Sequence, residues 1–299
     1  MKSKNSIYVA KGDRIFQSCC LAVTLLLTLL VLYPLIYILS CSFSSGIAVS
    51  SGKVVLLPVD FNFDGYRRVF ENSRVWIGYR NTIAYTVVGT LYNVVMTILV
   101  AYPLARRKLP CKGVFTFLYT FTMLFSGGLI PTYLVIRSLH LLNTFWVMIL
   151  PGAVGVTQMI VTRTFFKSTI PEELLEAAQI DGCDDYRFLL QFVLPLSKAI
   201  IAVIAMQYAV GYWNTYFGAF IYLSNKNLYP LQIFLREILV MNQIDTSEIV
   251  DPETAEMMQG MAELLKYALI VVATVPILCV YPFVQKFFIN GVMIGSLKG

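Results

Sequence analysis

The sequence predicts an all-α, polytopic membrane protein with six transmembrane helices, and three observations carry that expectation. Only 13% of the 299 residues are charged and 58% are hydrophobic, whereas an ordinary globular domain carries roughly 25% charged residues. Apolar runs with few or no charges recur along the chain, each near or above the roughly 20 residues a helix needs to cross a bilayer. Lysines and arginines gather beside alternate runs, the pattern that sets membrane topology. With a mean hydropathy of +0.71, the surplus apolar surface has to face lipid. In a soluble chain the net charge of +6 would suggest nucleic acid; here the basic residues serve insertion, and no nucleic-acid partner is expected.

The expected spans are 15–40, 81–105, 114–136, 144–165, 199–223 and 264–288, within one transmembrane domain covering 1–299. The first follows a basic tail (Lys2, Lys4, Lys11, Arg14). It is too long for a signal-peptide core and lacks a small-residue cleavage site, so it stays as a span. The second ends at the cluster Arg106, Arg107, Lys108 and Lys112. Ser126-Gly127-Gly128 and Pro131 interrupt the third, which predicts an unwound outer end. The fourth contains Pro151-Gly152, and the sixth is expected to kink at Pro276 and Pro282. Residues 224–263 are polar and acidic (Asp245, Glu248, Asp251, Glu253, Glu256), with a short amphipathic helix around Leu231–Met241. With the N-terminus inside, the tail, the 106–112 cluster, Arg163, Lys167, Arg187, Lys198, Lys286 and Lys298 all fall on the inner side. Both termini and residues 169–196 are then cytoplasmic. His140 sits in an outer turn and reads as solvated. Cys19, Cys20, Cys41, Cys111, Cys183 and Cys279 form no metal-ligand spacing and read as small hydrophobes.

Residues 169–196 form the one long amphipathic, charge-rich insert on that inner side. Thr169 followed by Glu172 is a capping-box signature, with Pro171 tolerated in a first turn. Glu172, Glu173 and Glu176 suit the positive end of the helix dipole. Leu174 and Ala178 share a face that Leu175 and Ala177 widen. Asp181-Gly182 predicts the C-cap, Asp184 the cap of a second helix, and Pro195 its interruption.

The succession Glu176-Ala177-Ala178, Asp181-Gly182, Leu194-Pro195 resembles the EAA motif of importer-type ABC transporter permeases, in which two residues also separate EAA from DG. Cys183 stands where alanine is usual, Ala199 where a second proline often follows LP, and Phe188 a residue early. Further segments resemble the maltose-type, carbohydrate-uptake branch: Tyr79-Arg80-Asn81-Thr82, residues 126–133 with 141–144, Tyr229-Pro230-Leu231-Gln232, and residues 291–299. Within that branch the chain looks most like permeases for complex-carbohydrate or oligosaccharide uptake in Gram-positive bacteria.

The resemblance implies a type I ABC importer permease fold and a transport subunit of the bacterial cell membrane that is not an enzyme. It implies no catalytic or metal residues and no cofactor bound by this chain, ATP and Mg being used by partner ATPase subunits. No G-x-x-x-x-G-K-[ST] phosphate loop is present. The implied partners are a second permease forming a heterodimer, two ATP-binding subunits, an extracellular sugar-binding lipoprotein and membrane lipid. Glu176, Ala177, Ala178, Asp181, Gly182, Leu194 and Pro195 are the expected ATPase-coupling residues, with Gly182 giving the sharp turn and Pro195 the angle into the fifth span. The 224–263 loop is long enough to meet the binding protein, and the C-terminal tail to meet the ATPases. For the sugar path, Gln207, Tyr212, Trp213, Asn214 and Tyr216 offer ring faces and hydrogen bonds; they and Tyr208, Asn93 and Gln158 equally suit helix packing. An ion-coupled secondary transporter is the alternative. It needs intramembrane relays, and the apolar runs contain no Asp, Glu or His. An intramembrane enzyme would need a catalytic pair that the spans lack.

Overall fold

The structure, a computed structural model, describes residues 11–106, 109–241 and 252–296, and all its regular elements are helical. Lys2, Lys4, Arg107, Lys108, Asp245, Glu248, Asp251 and Lys298 lie outside the described residues. Chain order runs α1 (Lys11–Ser42), α2 (Gly46–Ser50), α3 (Asp64–Glu71), α4 (Ser73–Ala105), α5 (Lys112–Leu124) and α6 (Leu129–Ser138). Two short 3-10 turns (Phe145–Met148 and Leu150–Gly152) precede α7 (Val156–Thr169) and α8 (Glu172–Ile180). Then come α9 (Asp185–Phe188), a π turn (Leu189–Val193), α10 (Leu194–Leu196), α11 (Lys198–Trp213) and α12 (Phe217–Tyr222). After a 3-10 turn at Lys226–Leu228, α13 (Leu231–Met241) forms where the amphipathic pattern places it, and α14 (Pro252–Ser296) completes the described chain.

Among the described residues three helices are long and apolar enough to cross a membrane: Gly12–Ser42, Ser73–Ala105 and Gln259–Val280. The other three expected spans are not single helices; the third breaks where Ser126-Gly127-Gly128 predicted, and the other two are corrections with a local cause. The third bends by 116° between α5 and α6, because the 125–128 link leaves helical geometry and Gly128 takes φ +84°, open to glycine at no steric cost. The fourth is 3-10 across Pro151-Gly152 and bends by 51° into α7. The fifth is helical for only 16 residues, and its helix closes where Asn214 Nδ2 returns to the Val210 carbonyl (2.9 Å). If each bent pair is one span, the total is six.

The chain divides into two units, 1–71 with 238–272, and 72–237 with 273–299. In the first, α1 is exposed along its length to Ile36, an apolar surface that calls for lipid or another membrane chain against it. Its end packs Cys41 against Ala48, Val49, Val54 and Tyr267. Gly46 and Gly260 meet backbone to backbone, so close that a Cβ at 46 would lie 2.6 Å from the Gly260 carbonyl oxygen. In the second unit α4 is the axis, lying against both α7 and α11. Gly89 lets α11 approach until the Tyr212 ring covers it. The end of α4 is capped by cations: Arg163 Nε donates to the Leu104 carbonyl (3.0 Å) and Lys112 Nζ to that of Arg106 (2.7 Å). Cationic side chains suit the negative end of a helix dipole.

Candidate functional site

The 169–196 insert folds as an elbow of two short helices. Its capping box does not form. Thr169 is the last residue of α7, and Pro171, with extended backbone (φ −62°, ψ 146°), occupies the N-cap of α8 without a side-chain bond. The proline requires extended geometry before it, which ends α7 and starts α8 too close together for Thr169 to serve as cap. Glu172 and Glu173 occupy the first turn of α8 as expected. The buried face is shifted from the expected one: Leu175 and Ala178 are the buried pair, Leu174 is only partly buried, and Ala177, expected to widen the face, is exposed.

The turn forms as the sequence requires. Gly182 takes φ +78°, its N–H reaches the Gln179 carbonyl (3.0 Å) and Cys183 N–H reaches that of Ala178 (2.9 Å). This double bond pattern closes the C-terminus of α8. Asp184 caps the second helix through Oδ1, which accepts from Arg187 N (2.7 Å). Pro195 does not end that helix. The wide π turn before it accommodates the ring and the missing donor, and helix continues to Leu196. The break falls at Ser197, where the chain turns 82° into α11.

Phe188 and Val193 are wholly buried, Leu189 nearly so, and the Phe188 ring stacks on Phe192 at 5.2 Å. They share one core with Tyr102, Ala105, Phe166 and Ile170. The opposite face is bare. Glu176, Ala177, Asp181 and Gly182 are exposed, as are Ile180 (87%), Tyr186 (78%) and Leu190 (63%). Next to the elbow lies a groove of about 480 Å³ whose wall includes Leu99, Tyr102, Arg106, Gln179 and Tyr186. Sequence reasoning overlooked Arg106, whose guanidinium stands 4.8 Å from the Tyr102 ring centre and 5.0 Å from that of Phe188. A basic residue just past a span is explained by topology alone, so nothing in the sequence marked it out.

The five intramembrane polar and aromatic candidates, taken with Tyr208, separate into two groups. Tyr212 is buried and donates to Asn93 Oδ1 (3.1 Å), while Asn93 Nδ2 donates to the Gly152 carbonyl (2.8 Å). Trp213 is buried and donates to the Ala273 carbonyl (3.0 Å). Tyr208 shares a bond with Thr97 (2.7 Å) and accepts from Gly155 N (2.9 Å). These three hold helices together. Gln207, Asn214 and Tyr216 are exposed, and Gln207 Oε1 accepts from Gln158 Nε2 across α11 and α7 (3.2 Å).

Three segments that the sequence offered separately form one knot. Asn81 Nδ2 donates to the carbonyls of Asn227 (2.7 Å) and Tyr229 (3.0 Å), and Thr82 Oγ1 accepts from Leu231 N (2.9 Å). Asn143, at φ +59°, accepts through Oδ1 from Ser224 N (3.0 Å) and Asn225 N (2.8 Å). Their role is to fasten the loop after α12. Among the described residues no group of His, Cys, Asp and Glu can hold a metal ion.

Apolar helices, broken spans and an exposed, apolar first helix define an integral membrane protein. No protein-family model matches the chain. It is 40% identical over 290 residues to the polygalacturonan/rhamnogalacturonan transport system permease protein YtcP of Bacillus subtilis, covering 96% of this chain and 99% of that one. It is 38% identical to protein LplC of the same organism over the whole of both chains. Among solved structures, a bacterial ABC transporter involved in the import of the acidic polysaccharide alginate superposes with a TM-score of 0.85. That chain is 35% identical, and the match covers 95% of this chain and 100% of that one. The chain belongs to the carbohydrate ABC transporter permeases.

Proposed function

We propose that this chain is one permease subunit of an ATP-driven importer of oligosaccharides or polysaccharide fragments, and that the elbow at 169–196 is where ATPase subunits act on it. The observation that carries the reading is the bare face of the elbow. An isoleucine exposed at 87% and a tyrosine at 78%, beside Glu176 and Ala177 on a segment otherwise locked into the core, call for a protein partner. Two relatives, one named for polygalacturonan/rhamnogalacturonan transport and the other for import of the acidic polysaccharide alginate, favour an acidic saccharide. ATP and Mg are handled by two separate ATP-binding subunits, and a second permease completes the path. An extracellular sugar-binding lipoprotein delivers the sugar to the outer loops. Both termini and the elbow face the cytoplasm. Glu176, Ala177, Ala178, Asp181 and Gly182 form the docking helix and its turn, and Leu194 and Pro195 lie in the segment leading into α11. Gln207, Asn214 and Tyr216 are proposed for the path; Tyr212 and Trp213 support it from behind.

The test is co-expression with an ATPase subunit and a second permease of a carbohydrate ABC importer from the same organism, followed by purification and reconstitution. Expected are a complex retaining two ATPase subunits and uptake of oligogalacturonides that requires ATP. Uptake driven by an ion gradient without ATPase subunits would refute the proposal. So would labelling of a cysteine placed at Ile180 from the outer face of intact cells.

A further inference from the structure

Force received by the elbow has a covalent route into α11 through the bend at Ser197. No such direct route leads into α4, the axis of its unit, which ends at Ala105, well before the elbow begins at Thr169. Movement of α4 with the elbow must therefore pass through side chains. The apolar contacts of Tyr102 and Ala105 with the Phe188 core are non-directional and would let one surface slide over the other. Two side chains of α4 make oriented contacts across this junction: the Tyr102 hydroxyl donates to the Asp185 carbonyl over a long 3.4 Å, and Arg106 reaches both the Phe188 ring and the Asp185 carboxylate.

Arg106 is the C-cap residue of α4. Its guanidinium lies between two rings, 4.8 Å from Tyr102 on its own helix and 5.0 Å from Phe188 on the elbow. Nη2 donates to the Tyr102 hydroxyl (2.9 Å) and reaches Asp185 Oδ1 on the elbow (3.4 Å). The Arg106 side chain is 17% exposed and Asp185 is 68% exposed. An ion pair with so exposed an acid is screened by water and contributes little. The sheltered contact with the two rings is the stronger one, and guanidinium suits it because the plane can face aromatic surfaces while its edges donate. The backbone beneath is held too, since Lys112 Nζ donates to the Arg106 carbonyl (2.7 Å).

We infer that Arg106 is a positioning residue for transport: it clamps the end of α4 to the second helix of the elbow, so that α4 moves with the elbow when the ATPases act. This rests on the reading of the elbow as the ATPase-facing segment. The test uses the assembled transporter in proteoliposomes, with ATPase-subunit retention, ATP hydrolysis and sugar uptake measured on the same preparation. In R106A the subunits stay bound and ATP is hydrolysed, but uptake per ATP falls by about tenfold, the scale of one sheltered cation–π contact. R106K, which keeps the charge and is mild enough to fold, restores part of the loss because an ammonium cannot lie flat against two rings. D185N transports nearly as well as the unmodified chain.

Unchanged uptake per ATP in R106A overturns the inference. A loss that only tracks missing ATPase subunits does the same, since Arg106 would then merely shape the docking surface. D185N as damaging as R106A would assign the effect to the ion pair and overturn the ring clamp. If the unmodified chain retains no ATPase subunits, the reading of the elbow itself fails, and that result is visible before any variant is compared.

Discussion

Replacing Gly182 isolates the turn of the elbow from everything around it. A Cβ built at this position meets nothing within 4 Å, so no neighbour has to move. The cost is confined to the backbone, because φ is +78°. An L-residue in the left-handed region costs about 1–2 kcal/mol, with asparagine tolerated and β-branched side chains worst. That is roughly a 5- to 30-fold shift toward an opened turn. Opening breaks the bonds from Gly182 N to the Gln179 carbonyl (3.0 Å) and from Cys183 N to the Ala178 carbonyl (2.9 Å), and frees α8 from its set angle to the second helix. The buried residues of the elbow, Leu175, Ala178, Phe188 and Val193, are untouched, so the chain should still insert and fold. The expected order of ATP-driven uptake in proteoliposomes is glycine, then Gly182→Asn close behind, Gly182→Ala lower, and Gly182→Val lowest, with a stability loss no larger than the backbone cost of about 1–2 kcal/mol. Equal uptake by the valine and asparagine variants would show that the turn geometry carries no load. A stability loss well beyond that cost would show that the turn belongs to the fold's core instead.

The remaining predictions test packing at other points. Gly46→Ala places a methyl 2.6 Å from the Gly260 carbonyl oxygen, backbone that cannot rotate away, and should lower stability by about 1–3 kcal/mol, read as a drop in the detergent-melting midpoint. Phe188→Ala removes a wholly buried ring and should cost about 3–5 kcal/mol on the same assay, with Phe188→Leu closer to the unmodified protein. Asn93→Ala strands the Tyr212 hydroxyl and the Gly152 carbonyl and should cost about 1–3 kcal/mol. Gln207→Ala, at an exposed position, should leave melting unchanged and alter the KM for uptake; the opposite pairing of results would exchange the packing and path roles.

Much of the elbow was legible because it depends on local chemistry. A glycine after a helix, an aspartate before the next and apolar residues at helical spacing have the same consequences in any context, and all three formed at Gly182, Asp184 and Leu175/Ala178. The failed capping box at Thr169 and the uninterrupted helix at Pro195 are also local, but in each a neighbouring element competed for the same residues: α7 claimed Thr169, and the π turn absorbed the proline. Membrane character was readable from composition, since a surplus of apolar surface has no soluble solution. The break in the third span was readable from Ser126-Gly127-Gly128, but its angle was not. A hydrophobic run of sufficient length does not reveal that α5 and α6 meet at 116°.

By itself, then, the sequence determined that the chain lives in a membrane, roughly where its apolar segments fall, and which insert resembles the transporter motif. Tertiary structure alone decided which polar side chains are spent inside the bundle and which remain exposed, because Tyr212 and Gln207 are equivalent until a partner stands opposite one of them. It also joined Asn81, Thr82 and Asn143 to one loop and set Arg106 between two rings. Hydrogen bonds and ring contacts between residues distant in sequence depend on where helices cross, and crossings are fixed by packing that no local pattern encodes.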